Sequence, residues 1–128
     1  MANRLILQHR IYRADLRANP NVLYVFGDNE ERWGRGGQAA EMRDEPNAIG
    51  VATLKAPGVF WTEDDAARQC AVIDADMAPV FAALRAGRTV VFPLDGIGSG
   101  LADLERRSPT TWAHLQQRIN ELKSAGEA

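Results

Sequence analysis

Two stretches carry residue types suited to holding an anion. The first runs Gly27-Asp28-Asn29 through Trp33-Gly34-Arg35-Gly36-Gly37-Gln38. A polar side chain leaving the end of a strand accepts hydrogen bonds from an amino or hydroxyl group of a ligand, which singles out Asp28 and Asn29. Gly36 and Gly37 let the backbone approach closely, and a helix opening at Gln38 presents unpaired amides and a favourable dipole to negative charge. Arg32, Arg35 and Arg43 stand ready to add positive charge. The second stretch is Asp95-Gly96-Ile97-Gly98-Ser99-Gly100-Leu101. Glycine at alternate positions strips side chains from a loop, so that consecutive amides can turn inward as an anion-binding nest. Ser99 adds a hydroxyl donor. This is not a Walker loop, because Gly-Lys-Ser/Thr is missing, and not the dinucleotide fingerprint, because the third glycine comes too early. The plainer reading of both stretches is a pair of surface turns, with glycines that satisfy turn dihedrals and arginines that are solvated.

Other reactive residue types read as structural. Cys70 falls on an apolar helical stripe and His114 lies off one, so a core thiol and a surface imidazole are expected. With His9 and His114 as the histidines and Cys70 as the lone cysteine, the ligands for a zinc site, an internal disulfide or a confident catalytic triad are missing. No metal and no cofactor are called for. Phe60, Trp61 and Trp33 are aromatics able to stack on a base. Trp33 sits in a polar loop, where packing alone explains it least. Asp74, Asp76 and Glu63 to Asp65 read as solvated helix faces and caps.

The elements that must position the two loops follow from apolar patterning. Arg4 to Ile11, Val22 to Phe26, Ala48 to Leu54 and Thr89 to Pro93 read as strands, the second and fourth as short continuous apolar runs typical of buried parallel strands. Gln38 to Arg43 reads as a short helix stopped before Pro46. Thr62-Glu63-Asp64-Asp65 resembles a capping box, and Ala66, Cys70, Ile73, Met77, Phe81 and Leu84 follow at helical spacing, with a kink or two abutting helices expected at Pro79. Ser108-Pro109 opens a last helix with Trp112, Leu115, Ile119 and Leu122 on its apolar face. Strands alternating with helices predict one domain over residues 1–128, a compact three-layer α/β/α sandwich on a mixed, mostly parallel sheet. In such sheets ligands sit beyond the carboxyl ends of the strands, where both glycine-rich loops begin.

The chain has 128 residues, with 45% hydrophobic and 25% charged, an ordinary globular composition. A formal net charge of −2 lacks the basic surplus of a duplex-DNA binder. No secretory leader or run of membrane-spanning length is read, so a cytoplasmic protein without membrane attachment is expected.

The segment Gly96-Ile97-Gly98-Ser99-Gly100-Leu101-Ala102-Asp103-Leu104 resembles the phosphate loop of ADP-ribose-binding macro domains, closest to the branch that includes terminal ADP-ribosyl-glutamate hydrolases. Gly27-Asp28 is similar to the Gly-Asp of that family whose acid contacts adenine, and Gly34 to Ala40 is similar to its glycine-rich helix entry beside the distal ribose and phosphates. The resemblance implies a macro-like fold and a ligand site built from Asp28, Asn29, Gly36, Gly37, Gln38 and the loop Asp95 to Leu101. It further implies catalytic roles for Lys55, after the third strand, and for Asp103. The family places its aspartate directly after the loop leucine, where this chain has Ala102; Asp103 comes one residue later, a turn of about 100° on a helix. Gly37-Gln38-Ala39-Ala40-Glu41-Met42-Arg43, with Glu45-Pro46-Asn47-Ala48 after it, also resembles a block of a small uncharacterised bacterial and phage family.

The expectation is therefore a domain that binds ADP-ribose or a related nucleotide. Enzymatically it would hydrolyse ADP-ribosyl bonds, taking an ADP-ribosylated protein as substrate. The alternative is a non-catalytic nucleotide-sensing or interaction module. A purine-phosphate hydrolase of the cytokinin-activating type ranks last, because its Pro-Gly-Gly-x-Gly-Thr order is absent.

Overall fold

A computed structural model describes residues 4–127. The element order is β1 (Leu5–Gln8), α1 (Arg13–Ala18), β2 (Leu23–Asn29), α2 (Ala39–Met42), β3 (Ala48–Leu54), α3 (Ala66–Arg85), β4 (Val90–Pro93), α4 (Leu104–Arg107) and α5 (Pro109–Glu127). The strands form one sheet in the order β1-β4-β2-β3. Where a mixed sheet was expected, every pairing described is parallel.

Alternation along the strands sorts side chains to the two faces. Leu23, Val25, Val90 and Phe92 join Ile73, Met77, Leu115, Ile119 and Leu122 in a core beneath α3 and α5. Tyr24, Phe26 and Val91 point the other way and meet Leu16, Ala39 and Met42 of α1 and α2. Helices thus cover both faces, giving three layers, as buried parallel strands require.

Local chemistry departs from the expected patterns at three places. Glu63–Asp65 forms a 3-10 turn before α3, and Thr62 makes no side-chain cap there. Its neighbour Glu63 instead accepts from the backbone amide of Thr110 at 3.0 Å, tying this turn to the start of α5. α3 runs as one helix through Pro79, which is exposed. At the start of α5, the Ser108 hydroxyl bonds to Gln69 Oε1 and Thr111 Oγ1, each at 2.8 Å, inside a buried polar cluster.

One irregularity of the sheet matters for function. β2 pairs with β4 at Leu23 and Tyr24 and no further, whereas it stays paired with β3 through to Asn29 opposite Leu54. The carboxyl ends of β2 and β4 therefore part company. The chain leaving β2 passes to α2 on one face, and the chain leaving β4 passes to α4 and α5 on the other. That reversal of direction is the switch point at which parallel sheets open a crevice.

Candidate functional site

The crevice between the ends of β2 and β4 is a cleft of about 470 Å³. Its wall on the β2 side is made by Gly27, Asp28, Asn29 and the loop Trp33 to Gln38, and its wall on the β4 side by Gly96 to Ala102. Thr53, Pro57 and Phe60, in and after β3, close a third side. The two glycine-rich loops are thus neighbours: a Cβ added to Gly36 would stand 3.7 Å from Leu101 Cδ1.

Close packing explains several of the glycines. A Cβ on Gly27 would lie 3.3 Å from Ile97 Cβ, so the bare Gly27 lets the second loop pack closely over the end of β2. Gly98 is held at φ +79°, and a Cβ there would press on Leu104, Leu115 and Thr53 at 3.2–3.3 Å. It anchors the loop to the core. Gly100 has open space about its Cβ position and no such constraint.

The backbone donors of both loops are largely free. Among the described residues, none accepts a hydrogen bond from the amides of Arg35, Gly36, Gly37 and Gln38, or from those of Ile97 through Ala102. Gly96 donates to Pro93 O at 3.0 Å, and Asp103 and Leu104 donate back to Gly100 and Gly98, closing the loop without consuming the amides between. Free, consecutive amides around glycines of positive φ (Gly96 and Gly98) are the elements of an anion nest.

The polar side chains behave less uniformly. Asn29 is 6% exposed and lines the cleft. Its Nδ2 donates to Trp33 O at 2.8 Å, which fixes the amide, and its Oδ1 is buried without a partner. A buried acceptor left unpaired costs roughly 1–3 kcal/mol, so a ligand donor placed there recovers a real penalty. Asp28 is also buried, but its carboxylate is taken. Arg43 reaches both of its oxygens, one of them at 3.2 Å, and the backbone amide of Asn29 donates to Oδ1 at 2.8 Å. Gln38 is occupied too: Nε2 donates to Ile11 O at 3.1 Å and Oε1 accepts from Ile11 N at 3.3 Å. Its side chain ties the loop to the chain after β1.

The arginines offered as free charge are all paired. Arg43 holds Asp28, Arg35 holds Asp44 at 2.8 Å, and Arg32 grips Asp76 with contacts of 2.7 and 2.8 Å. Asp76 is no solvated helix residue, since it also accepts from the amide of Ala52 at 2.8 Å.

The structure gathers Asp28, Asn29, Gly36, Gly37, Gln38, Gly96, Ile97, Gly98, Ser99, Gly100 and Leu101 around the cleft and leaves three candidates outside its lining. Lys55 has an exposed side chain and spends its amide on Val59 O. Asp103 sits at φ +47° as the cap of α4 and binds Arg106 and Arg107. Asp95 is 70% exposed and pairs with His9 at 3.0 Å. Elsewhere His114, expected at the surface, is partly buried with Nε2 2.7 Å from Asp74. Cys70 is only half-buried, and burial pushes its thiol up. Among the described residues no cluster of metal-ligating side chains occurs, and no helix is long and apolar enough to cross a membrane.

Thr53 and Pro57 line the cleft but carry no sequence signal that marks them as site residues. The sequence marks Arg43 as a free charge, and its pairing with Asp28 is visible only once α2 folds back over β2.

The chain belongs to a family of unknown function (DUF7831), whose model matches residues 6–118. That span includes both glycine-rich loops and every element except the first residue of β1 and the last part of α5. No curated protein and no solved structure matches the chain.

Proposed function

We propose that the cleft binds a nucleoside diphosphate of the ADP-ribose type. The observation that carries this reading is the convergence of two loops with unspent backbone amides on one crevice at the carboxyl ends of parallel strands. Amides fixed by the fold bind a diphosphate without reorganising, and they need no lysine or arginine to do so. Asn29 keeps an unpartnered Oδ1 in the cleft lining, and the exposed indole of Trp33 at the cleft wall suits a flat base. The resemblance of residues 96–104 to the macro-domain phosphate loop points to the same ligand class.

Binding without turnover is the form of this reading that the geometry favours. Lys55 and Asp103, the residues that resemblance would use to hydrolyse an ADP-ribosyl bond, lie outside the cleft lining.

Titration calorimetry with ADP-ribose tests the proposal. The wild-type chain is expected to bind. Gly100→Glu, which meets open space and so leaves the fold intact, is expected to abolish binding by placing negative charge among the amides, at an unchanged melting temperature. Absence of heat with the wild type, or equal binding by the variant, overturns it. Incubation with ADP-ribosylated glutamate peptide is expected to leave the substrate unchanged; release of ADP-ribose that is lost in Lys55→Ala overturns the non-catalytic form.

A further inference from the structure

The cleft lining holds two arginines, Arg35 and Arg43, and the fold treats them differently. Arg43 is largely buried, and its guanidinium is spent on Asp28 and on the Gly34 carbonyl. Arg35 is 56% exposed, and its ion-pair partner Asp44 is 70% exposed. A pair this open holds its members weakly, because water and salt screen both charges. The contact is also a single one, Nη2 donating to Oδ2 at 2.8 Å. Among the described residues the Asp44 carboxylate has no other partner.

Arg35 is rooted where the first run of unspent amides begins. The N–H groups of Arg35, Gly36, Gly37 and Gln38 find no acceptor among the described residues. An anion resting on them lies beside the root of the Arg35 side chain, and a long exposed stem lets the guanidinium close over it. A phosphate group presents two oxygens to the guanidinium fork at once, a geometry that arginine binds more strongly than a single-point contact. Asp44 offers one oxygen, so an anchored phosphate outcompetes it.

Resting on the nucleotide-binding reading above, we infer that Arg35 is a phosphate arm parked on Asp44. A ligand diphosphate held by the loop amides takes the guanidinium over, and Asp44 is the internal competitor that sets how much affinity the arm adds. The amides form the site, and Arg35 tightens it.

Titration calorimetry with ADP-ribose on the wild type, Arg35→Ala, Asp44→Asn and the double variant tests this. Asp44 sits at φ +73°, a left-handed conformation that asparagine tolerates as well as aspartate, so the exchange removes charge and leaves the backbone alone. Arg35→Ala is expected to weaken binding about tenfold, the scale of a charge-assisted hydrogen bond less the surface pair it replaces. Asp44→Asn is expected to tighten binding two- to fivefold, roughly the worth of an exposed pair. In the Arg35→Ala background the same exchange is expected to change nothing. Equal affinities for the wild type and Arg35→Ala overturn the inference and leave nucleotide binding standing. So does an Asp44→Asn variant no tighter than wild type. A gain from Asp44→Asn that persists without Arg35 also overturns it, since the carboxylate would then act on the ligand by its field alone. Absence of binding by the wild type removes the underlying reading and this inference together.

Discussion

Arg43 and Asp28 form a buried two-point ion pair that joins α2 to the end of β2. The two side chains are 11% and 3% exposed, and Arg43 Nε is spent on the Gly34 carbonyl at 2.7 Å. One arginine thus ties together a strand end, a glycine-rich loop and the residue that closes α2.

Removing Arg43 leaves the buried Asp28 carboxylate with only the Asn29 amide and the more distant Arg32, so Arg43→Ala should cost about 3 kcal/mol, the low end for a broken buried pair. Replacing both partners by apolar groups relieves that charge, so Asp28→Ala with Arg43→Met should cost clearly less than the two single changes added. Urea denaturation of the wild type, both singles and the double provides the cycle. Additive losses would mean that the pair is not coupled.

Gly50 supports the same pair from the neighbouring strand. A Cβ there would come 2.8 Å from Asp28 Cβ. Gly50→Ala should therefore force Asp28 to move, with a loss of about 1–3 kcal/mol, the usual range for overpacking. The control is Gly100→Ala, which meets nothing within 4 Å and should stay within roughly 0.5 kcal/mol of wild type. Equal melting temperatures for the two variants would contradict the packing argument.

Asp76 protects an edge of the sheet. β3 ends the strand order, and the amide of Ala52, a fully buried residue, donates to Asp76 Oδ2 at 2.8 Å in place of a further strand. Asp76→Ala leaves that donor unsatisfied and frees Arg32. A loss of about 1–3 kcal/mol is expected, together with faster hydrogen exchange at Ala52. Unchanged exchange at that amide would show that the carboxylate does not protect it.

The sheet was readable because its signal is local: Val22 to Phe26 and Thr89 to Pro93 are apolar runs whose length and branching need no tertiary context. α1 was not, since Leu16 is its single buried residue and its first turn is organised by Asp15 Oδ2 accepting from Tyr12 N at 2.9 Å. The glycine loops announced themselves by composition. Which of their polar side chains remain available did not, because the partners are distant: Gln38 bonds to Ile11, Arg32 to Asp76, and Arg43 reaches back to Asp28. The same blindness misplaced Asp74 and His114. Sequence periodicity put them on separate helices but could not place α3 against α5 closely enough to join them.

Asp74 makes that joint pH-dependent. It accepts from Arg118 Nε at 2.8 Å and contacts His114 Nε2 at 2.7 Å, both on α5, while Asp74 itself belongs to α3. Arg118 chiefly, and His114 after it, hold the carboxyl below the usual aspartate range against the opposing effect of burial. A carboxyl whose folded-state pKa is depressed stabilises the native state above its unfolded value, about 3.9. That stabilisation drains away as the pH falls through the lower folded value. At pH 7 Asp74→Asn should therefore be less stable than wild type, and the gap should narrow steadily below about pH 4. The side chain is 41% exposed, so added salt should narrow the gap at neutral pH as well. Urea midpoints for both proteins at neutral and acid pH check this. Two curves that stay parallel down to acid would mean that Asp74 titrates the same way folded and unfolded, and that the contact between α3 and α5 owes nothing to its charge.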